Sequence, residues 1–191
     1  GKQVFDMTGN ELDLGLLGLA EFIPVAVLSP FTGPLADRKD RRKVFGCALL
    51  CEAIVSFLIF LYIATDPTSV YPIFGLMMLF GVARAFATPA SRALPIDWAP
   101  EEVVERVVAL KSVAFQAGII AGPAAFGFIF VAGRSIPYLA AVCAYVLAAL
   151  LLLTIGSIPI KRLETSGTRQ AFRDALEGLR FVRSKPVLFG A

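Results

Sequence analysis

The sequence contains no histidine, and charged residues make up only 17% of its 191 positions. Soluble domains average about 25% charged residues. The absence of imidazole excludes histidine metal ligands and histidine general bases within these residues. Because hydrophobic residues reach 57%, the shortage of charge favours a membrane protein over a soluble domain.

Cysteine is also scarce, with 3 in the chain. Cys47 and Cys51 lie one helical turn apart in an apolar run, and Cys143 lies in another. This spacing matches neither a disulfide framework nor a zinc site. We therefore expect the three cysteines to be buried or lipid-facing, to act as small apolar residues and to bind no metal. The sequence also shows no phosphate-cradling glycine loop and no cluster of catalytic side chains. We therefore expect no cofactor, no nucleic-acid partner and no enzymatic activity.

Long apolar runs dominate what is present. A transmembrane helix needs about 20 mostly apolar residues, and the sequence predicts five such spans, at 14–35, 44–64, 71–95, 107–133 and 136–160. Runs of this length cannot each have a polar face, which argues against a soluble helical bundle. Prolines within the spans are tolerated in a bilayer, because neighbouring helices can satisfy the freed backbone groups.

Lysine and arginine are unevenly distributed between the loops. If the spans alternate, the loop at 37–43, the loop near 98–111 and the segment after 160 share one side, which holds most of the cations. The opposite side holds only Lys2 and Arg134. The positive-inside rule places the basic side in the cytoplasm.

The loop after the first span reads GPLADRKDRRKV, from Gly33 to Val44. A topology anchor needs charge but no fixed order, whereas this order resembles the signature loop between helices two and three of the major facilitator superfamily. Asp40 stands where that family usually has glycine. This departure resembles the family's branch of multidrug and siderophore exporters. The resemblance implies a conformational gate at the cytoplasmic mouth, formed by Gly33, Asp37, Arg38 and Arg41.

Two further stretches extend the resemblance. The fourth span carries Gly118, Gly122, Pro123 and Gly127, similar to the antiporter motif of helix five, with one glycine of that motif missing. Small residues spaced by four allow close helix packing, and that alone would also explain the pattern. Arg84 matches an arginine often found in helix four.

The resemblance covers essentially the whole chain. It implies an all-α membrane protein: residues 1–160 as an N-terminal half-bundle of helices two to six of an expected twelve, 161–185 as a cytoplasmic linker with a basic amphipathic helix, and 186–191 as the start of helix seven. It further implies a secondary transporter in a bacterial cytoplasmic membrane, exporting small amphipathic molecules by proton exchange. Uptake, or facilitation without proton coupling, remains an alternative, and a structural membrane protein is a third.

Three charged residues lie inside the predicted spans, where a charge is costly unless it pairs or faces a cavity. Helical rise places Glu52 and Arg84 at similar depth and Glu21 roughly 9 Å shallower than Arg84, which argues against a permanent bond between Glu21 and Arg84. The resemblance instead puts Glu21 and Arg84 on the substrate or proton path, and Glu52 toward helix or lipid. Gln116 is a further polar candidate near mid-span. We expect Glu21 to be ionised beside Arg84 and protonated when the two separate.

Overall fold

The computed structural model describes residues 1–154, apart from the side chains of residues 34–38, 96–98 and 101. A short helix precedes five long ones, and a 3₁₀ turn, Glu101–Val103, leads into the fifth helix. The helices are α1 (Lys2–Thr8), α2 (Glu11–Arg38), α3 (Arg41–Ala64), α4 (Tyr71–Trp98), α5 (Val104–Ala132) and α6 (Ile136–Thr154). The predicted linker and the start of helix seven lie outside the described residues.

The five long helices are each long and apolar enough to cross a membrane, which confirms the predicted number of spans. Helices α2, α3 and α5 begin three residues before the apolar runs that predicted them. Backbone hydrogen bonding continues through the polar residues next to an apolar run, so a helix extends past its apolar part. This extension matters for the depth of Glu21.

Short polar residues begin two of the long helices. Asn10 Oδ1 accepts from the Leu12 N–H at 3.0 Å, ahead of α2. Asp40 is the N-cap of α3 and accepts from the Arg42 N–H at 3.1 Å. An N-cap side chain satisfies a backbone N–H that has no partner within the helix. Asp40, which departs from the usual family pattern, therefore has a local structural role.

The packing order of the helices decides which side chains can meet. α4 packs against both α2 and α3, and α3 also packs against α6. Buried apolar residues form two clusters between these helices: Val4, Leu17, Val55, Ile59, Ile63 and Ile73 in one, and Leu49, Leu94, Ala149 and Leu152 in the other. Among the described residues, α5 contributes no buried side chain.

Candidate functional site

An ion pair joins α2 and α4 within their apolar spans. Arg84 Nη1 lies 2.9 Å from Glu21 Oε1, and the side chains of Arg84 and Glu21 are 53% and 28% exposed. An ionisable group inside a membrane span usually pairs or faces a wet cavity. Here the two charges are paired, and both side chains stay partly exposed among the described residues.

The depth estimate placed Glu21 roughly 9 Å shallower than Arg84, and this gap is too large for the observed contact. Because α2 begins at Glu11, Glu21 lies roughly 15 Å along its helix, while Arg84 lies roughly 20 Å along α4, at ~1.5 Å per residue. The remaining difference is within reach of two long side chains. Arg84 and Glu52 lie at similar depth, but depth does not determine which faces of the helices meet. Similar depth therefore did not predict the partner of Arg84.

Gly81 explains how the α2 and α4 backbones come close at this point. It is buried, and a Cβ added there would overlap the carbonyl oxygen of Glu21 and lie 3.1 Å from its carbonyl carbon. Only a residue without a side chain fits this approach. Because Arg84 follows Gly81 by less than one helical turn, the close approach places the guanidinium beside Glu21.

Two residues that were not expected at the site complete a central cluster, defined as Glu21, Glu52, Arg84 and Tyr145. Glu52 on α3 is only 5% exposed and lies within electrostatic range of Arg84 and Glu21. Tyr145 on α6 lies within range of the same three charges. The cluster therefore draws one polar residue from each of α2, α3, α4 and α6.

The aromatic side chain of Phe80 lies beside two members of the central cluster, Arg84 and Tyr145. The Phe80 ring lies 6.0 Å from the Arg84 guanidinium and meets the Tyr145 ring edge-on at 6.1 Å. Contacts of this kind hold a cation near the negative face of a ring. Because Glu52 is buried and lies near the charges on α2 and α4, it faces other helices. The alternative that it points to lipid is wrong. The sequence could have indicated Glu52 as a site residue, because it is an acid within an apolar span. Nothing in the sequence singles out Tyr145.

The predicted cytoplasmic gate is only partly visible. Gly33 is half-buried within α2, and a Cβ there would meet nothing within 4 Å. The backbone continues as helix to Arg38, but the side chains of Asp37 and Arg38 are outside the described set. Arg41 is the first residue of α3 and is half-buried. The cytoplasmic gate therefore stays a prediction.

The same loop makes a contact that sequence reasoning missed. Arg42 Nε donates to the carbonyl oxygen of Leu152 at 2.9 Å, and Nη2 donates to that of Leu153 at 2.5 Å. These carbonyls belong to the last described turn of α6, and a cation is favourable near carbonyls at that end of a helix. Arg42 therefore ties the first turn of α3 to the end of α6.

The helix-five residues lie on open surface. Gln116 and Pro123 are exposed, and α5 continues through the proline. A Cβ at Gly118, Gly122 or Gly127 would meet nothing within 4 Å among the described residues. The structure does not bring these glycines against another described helix, so their packing role stays a prediction. No metal-binding group of histidine, cysteine or acidic residues occurs in the described part of the chain.

The match to known families decides the classification. Residues 4–191 match the Major Facilitator Superfamily. The chain belongs to the major facilitator superfamily. The resemblance drawn from the loop at 33–44 and from helix five is thereby confirmed, together with an all-α membrane fold. Five apolar helices in a chain of this superfamily make it part of an integral membrane protein.

Three curated relatives show which members of the superfamily the chain is similar to. It is 26% identical to the uncharacterized MFS-type transporter YfiS of Bacillus subtilis, over 96% of the chain and 44% of that protein. It is 26% identical to macrolide efflux protein A of Streptococcus pyogenes, over 96% and 46%. It is 30% identical to multidrug resistance protein 2 of Bacillus subtilis, over 77% and 35%. The chain thus spans less than half of these relatives, and no solved structure matches it.

Proposed function

We infer that the full-length protein is a secondary transporter that exports small amphipathic molecules, such as drugs or siderophores, in exchange for protons. The observation that carries this proposal is the Glu21–Arg84 ion pair, held between two apolar helices with both side chains partly exposed among the described residues. Two relatives are named for macrolide efflux and multidrug resistance, which supports the direction of transport. The bacterial origin of these relatives supports a place in the cytoplasmic membrane.

The proposed mechanism is alternating access. Transporters of this architecture rock two halves around a site near the middle of the bilayer. Substrate can drive such a change only if it binds one state more tightly than the other. The Glu21–Arg84 pair supplies that difference, because a substrate that takes one partner leaves the other charge to find a new contact.

The gate and helix five have proposed roles in the same cycle. Asp37 would accept from Arg41 and oppose a helix N-terminus of the other half, where a negative charge is favourable. Gly33 would allow close contact between halves, with Arg38 adding charge at the cytoplasmic surface. The small residues on α5 would let a helix outside this chain approach closely, since the described residues leave that face open.

The test uses inverted membrane vesicles containing the full-length protein and the lipophilic cation tetraphenylphosphonium. An imposed proton gradient, acid inside, should drive accumulation of the cation, and an uncoupler should abolish it. Glu21→Gln and Arg84→Gln should each lower accumulation by at least about tenfold, since ~1.4 kcal/mol of lost coupling is a factor of ten. Glu11→Gln, an exposed acid at the start of the same helix, is the matched control.

Two results would count against the proposal. Accumulation no greater than in vesicles without the protein would count against proton-coupled export. Wild-type accumulation by both the Glu21 and Arg84 variants would separate the ion pair from transport.

A further inference from the structure

We propose that Glu52 is the acid that carries the exchanged proton, and that Arg84 couples it to Glu21 by changing partners between the two carboxyl groups. This inference rests on the proposed function, and it moves the proton from Glu21, where the sequence alone placed it, to a different helix. It also assigns a substrate class, a lipophilic monovalent cation.

The charges of the central cluster do not balance. Two acids, Glu21 and Glu52, face one cation, Arg84, and the pair Arg84–Glu21 is formed in the structure. Glu52 is then left without a direct counter-charge. Glu52 is 5% exposed, and no hydrogen bond to its carboxyl group is found among the described residues.

A buried carboxylate without a partner is costly, whereas a neutral carboxyl group is tolerated. The titratable or charged groups that face Glu52 are Arg84 from α4, Tyr145 from α6 and Glu21 from α2. Arg84 is the one cation among them, and Glu21 already holds it at 2.9 Å. Glu52 is therefore protonated while the Arg84–Glu21 pair is closed.

Arg84 is suited to change partners. Its side chain is more than half exposed and has four rotatable bonds, while its helix is fixed against α2 by the close approach at Gly81. Phe80 lies between Arg84 and Tyr145 and offers the guanidinium an aromatic surface on the way toward α3 and α6. The backbone can thus stay in place while the guanidinium swings.

The exchange is balanced in charge. A monovalent cation binds the Glu21 carboxylate and displaces Arg84, the guanidinium turns to Glu52, and the O–H bond of the Glu52 carboxyl breaks. The proton leaves to water, and the new carboxylate pairs with Arg84. One positive charge enters the cluster and one leaves it, so the net charge of the site is unchanged. A neutral amphiphile has no charge with which to displace Arg84 and releases no proton.

The experiment measures proton release from purified full-length protein in weakly buffered detergent solution with a pH-sensitive dye. Tetraphenylphosphonium is added, and its binding is measured in parallel by equilibrium dialysis. Wild type should release about one proton per bound cation. Glu52→Gln should bind the cation more weakly, because the displaced Arg84 finds no carboxylate, and the cation that does bind should release no proton. Ser56→Ala, a buried polar position one turn further along α3, is the matched control and should keep both.

The outcomes separate this inference from the proposed function. If Glu52→Gln releases protons as Ser56→Ala does, Glu52 is not the carrier, and export itself is untouched. Glu21→Gln should lose cation binding and, with it, proton release. If Glu21→Gln binds and releases like wild type, the partner exchange is overturned.

A second measurement does not depend on a bound cation. The infrared spectrum of wild type at neutral pH should contain a protonated-carboxyl stretch that Glu52→Gln lacks and Ser56→Ala retains. Identical carboxyl bands in wild type and Glu52→Gln would overturn the inference, even if tetraphenylphosphonium proved not to bind.

Discussion

Replacing Gly81 by alanine tests whether the close approach of α2 and α4 sets the central cluster. The added Cβ would overlap the Glu21 carbonyl oxygen and lie 3.1 Å and 3.3 Å from its carbonyl carbon and Cα. Ordinary carbon contacts are about 3.5–4.0 Å. Because the obstacle is backbone rather than a flexible side chain, the two helices must separate by roughly 1 Å to reach such distances.

The cost has two parts with opposite sign. Overpacking a close contact costs about 1–3 kcal/mol, while alanine in place of glycine favours the helix by about 1 kcal/mol. Gly75 isolates the second part, because it lies on the same helix with nothing within 4 Å of its added Cβ. The free energy of unfolding of Gly81→Ala should therefore fall about 1–3 kcal/mol below that of Gly75→Ala.

The separation also strains the ion pair. A movement of roughly 1 Å takes the 2.9 Å contact beyond the usual hydrogen-bond range of about 2.7–3.2 Å. Gradient-driven accumulation of tetraphenylphosphonium should then drop in Gly81→Ala but not in Gly75→Ala. Unfolding would be followed by titration with sodium dodecyl sulfate. Equal stability and equal transport in the two variants, within about 0.5 kcal/mol, would refute the reasoning.

Three other substitutions test the gate, helix five and the loop. Asp37→Asn should cut transport sharply while expression and topology stay normal, and wild-type rates would reduce the loop to a topology anchor. Gly122→Leu should block transport by filling a contact face, as measured in the same vesicles; normal transport would indicate that the face meets lipid. Arg42→Gln should lower the free energy of unfolding by about 1–2 kcal/mol, because two charged hydrogen bonds to α6 carbonyls are lost. Lys43→Gln removes the same charge from an exposed neighbour and should change stability little.

The sequence alone predicted the number of spans and the family. The thickness of a bilayer sets the length of an apolar run, so five runs of about 20 residues can be counted without a structure. The order of residues in the loop after the first span was specific enough to indicate the superfamily, and the family match confirms it. The predicted starts of α2, α3 and α5 are each three residues late, because each helix begins before its apolar run does.

The tertiary structure decided which charges meet. The partner of Arg84 depends on the faces that α2 and α4 turn to each other, and hydropathy along one helix holds no information about rotation relative to another. The burial of Glu52 and the presence of Tyr145 beside it follow from the packing of α3 against α4 and α6. Gly81 had no visible signal, since a glycine in a transmembrane helix is common and only the Glu21 backbone opposite explains it. Arg42 likewise looked like one loop cation among several until α6, far along the chain, was placed beside it.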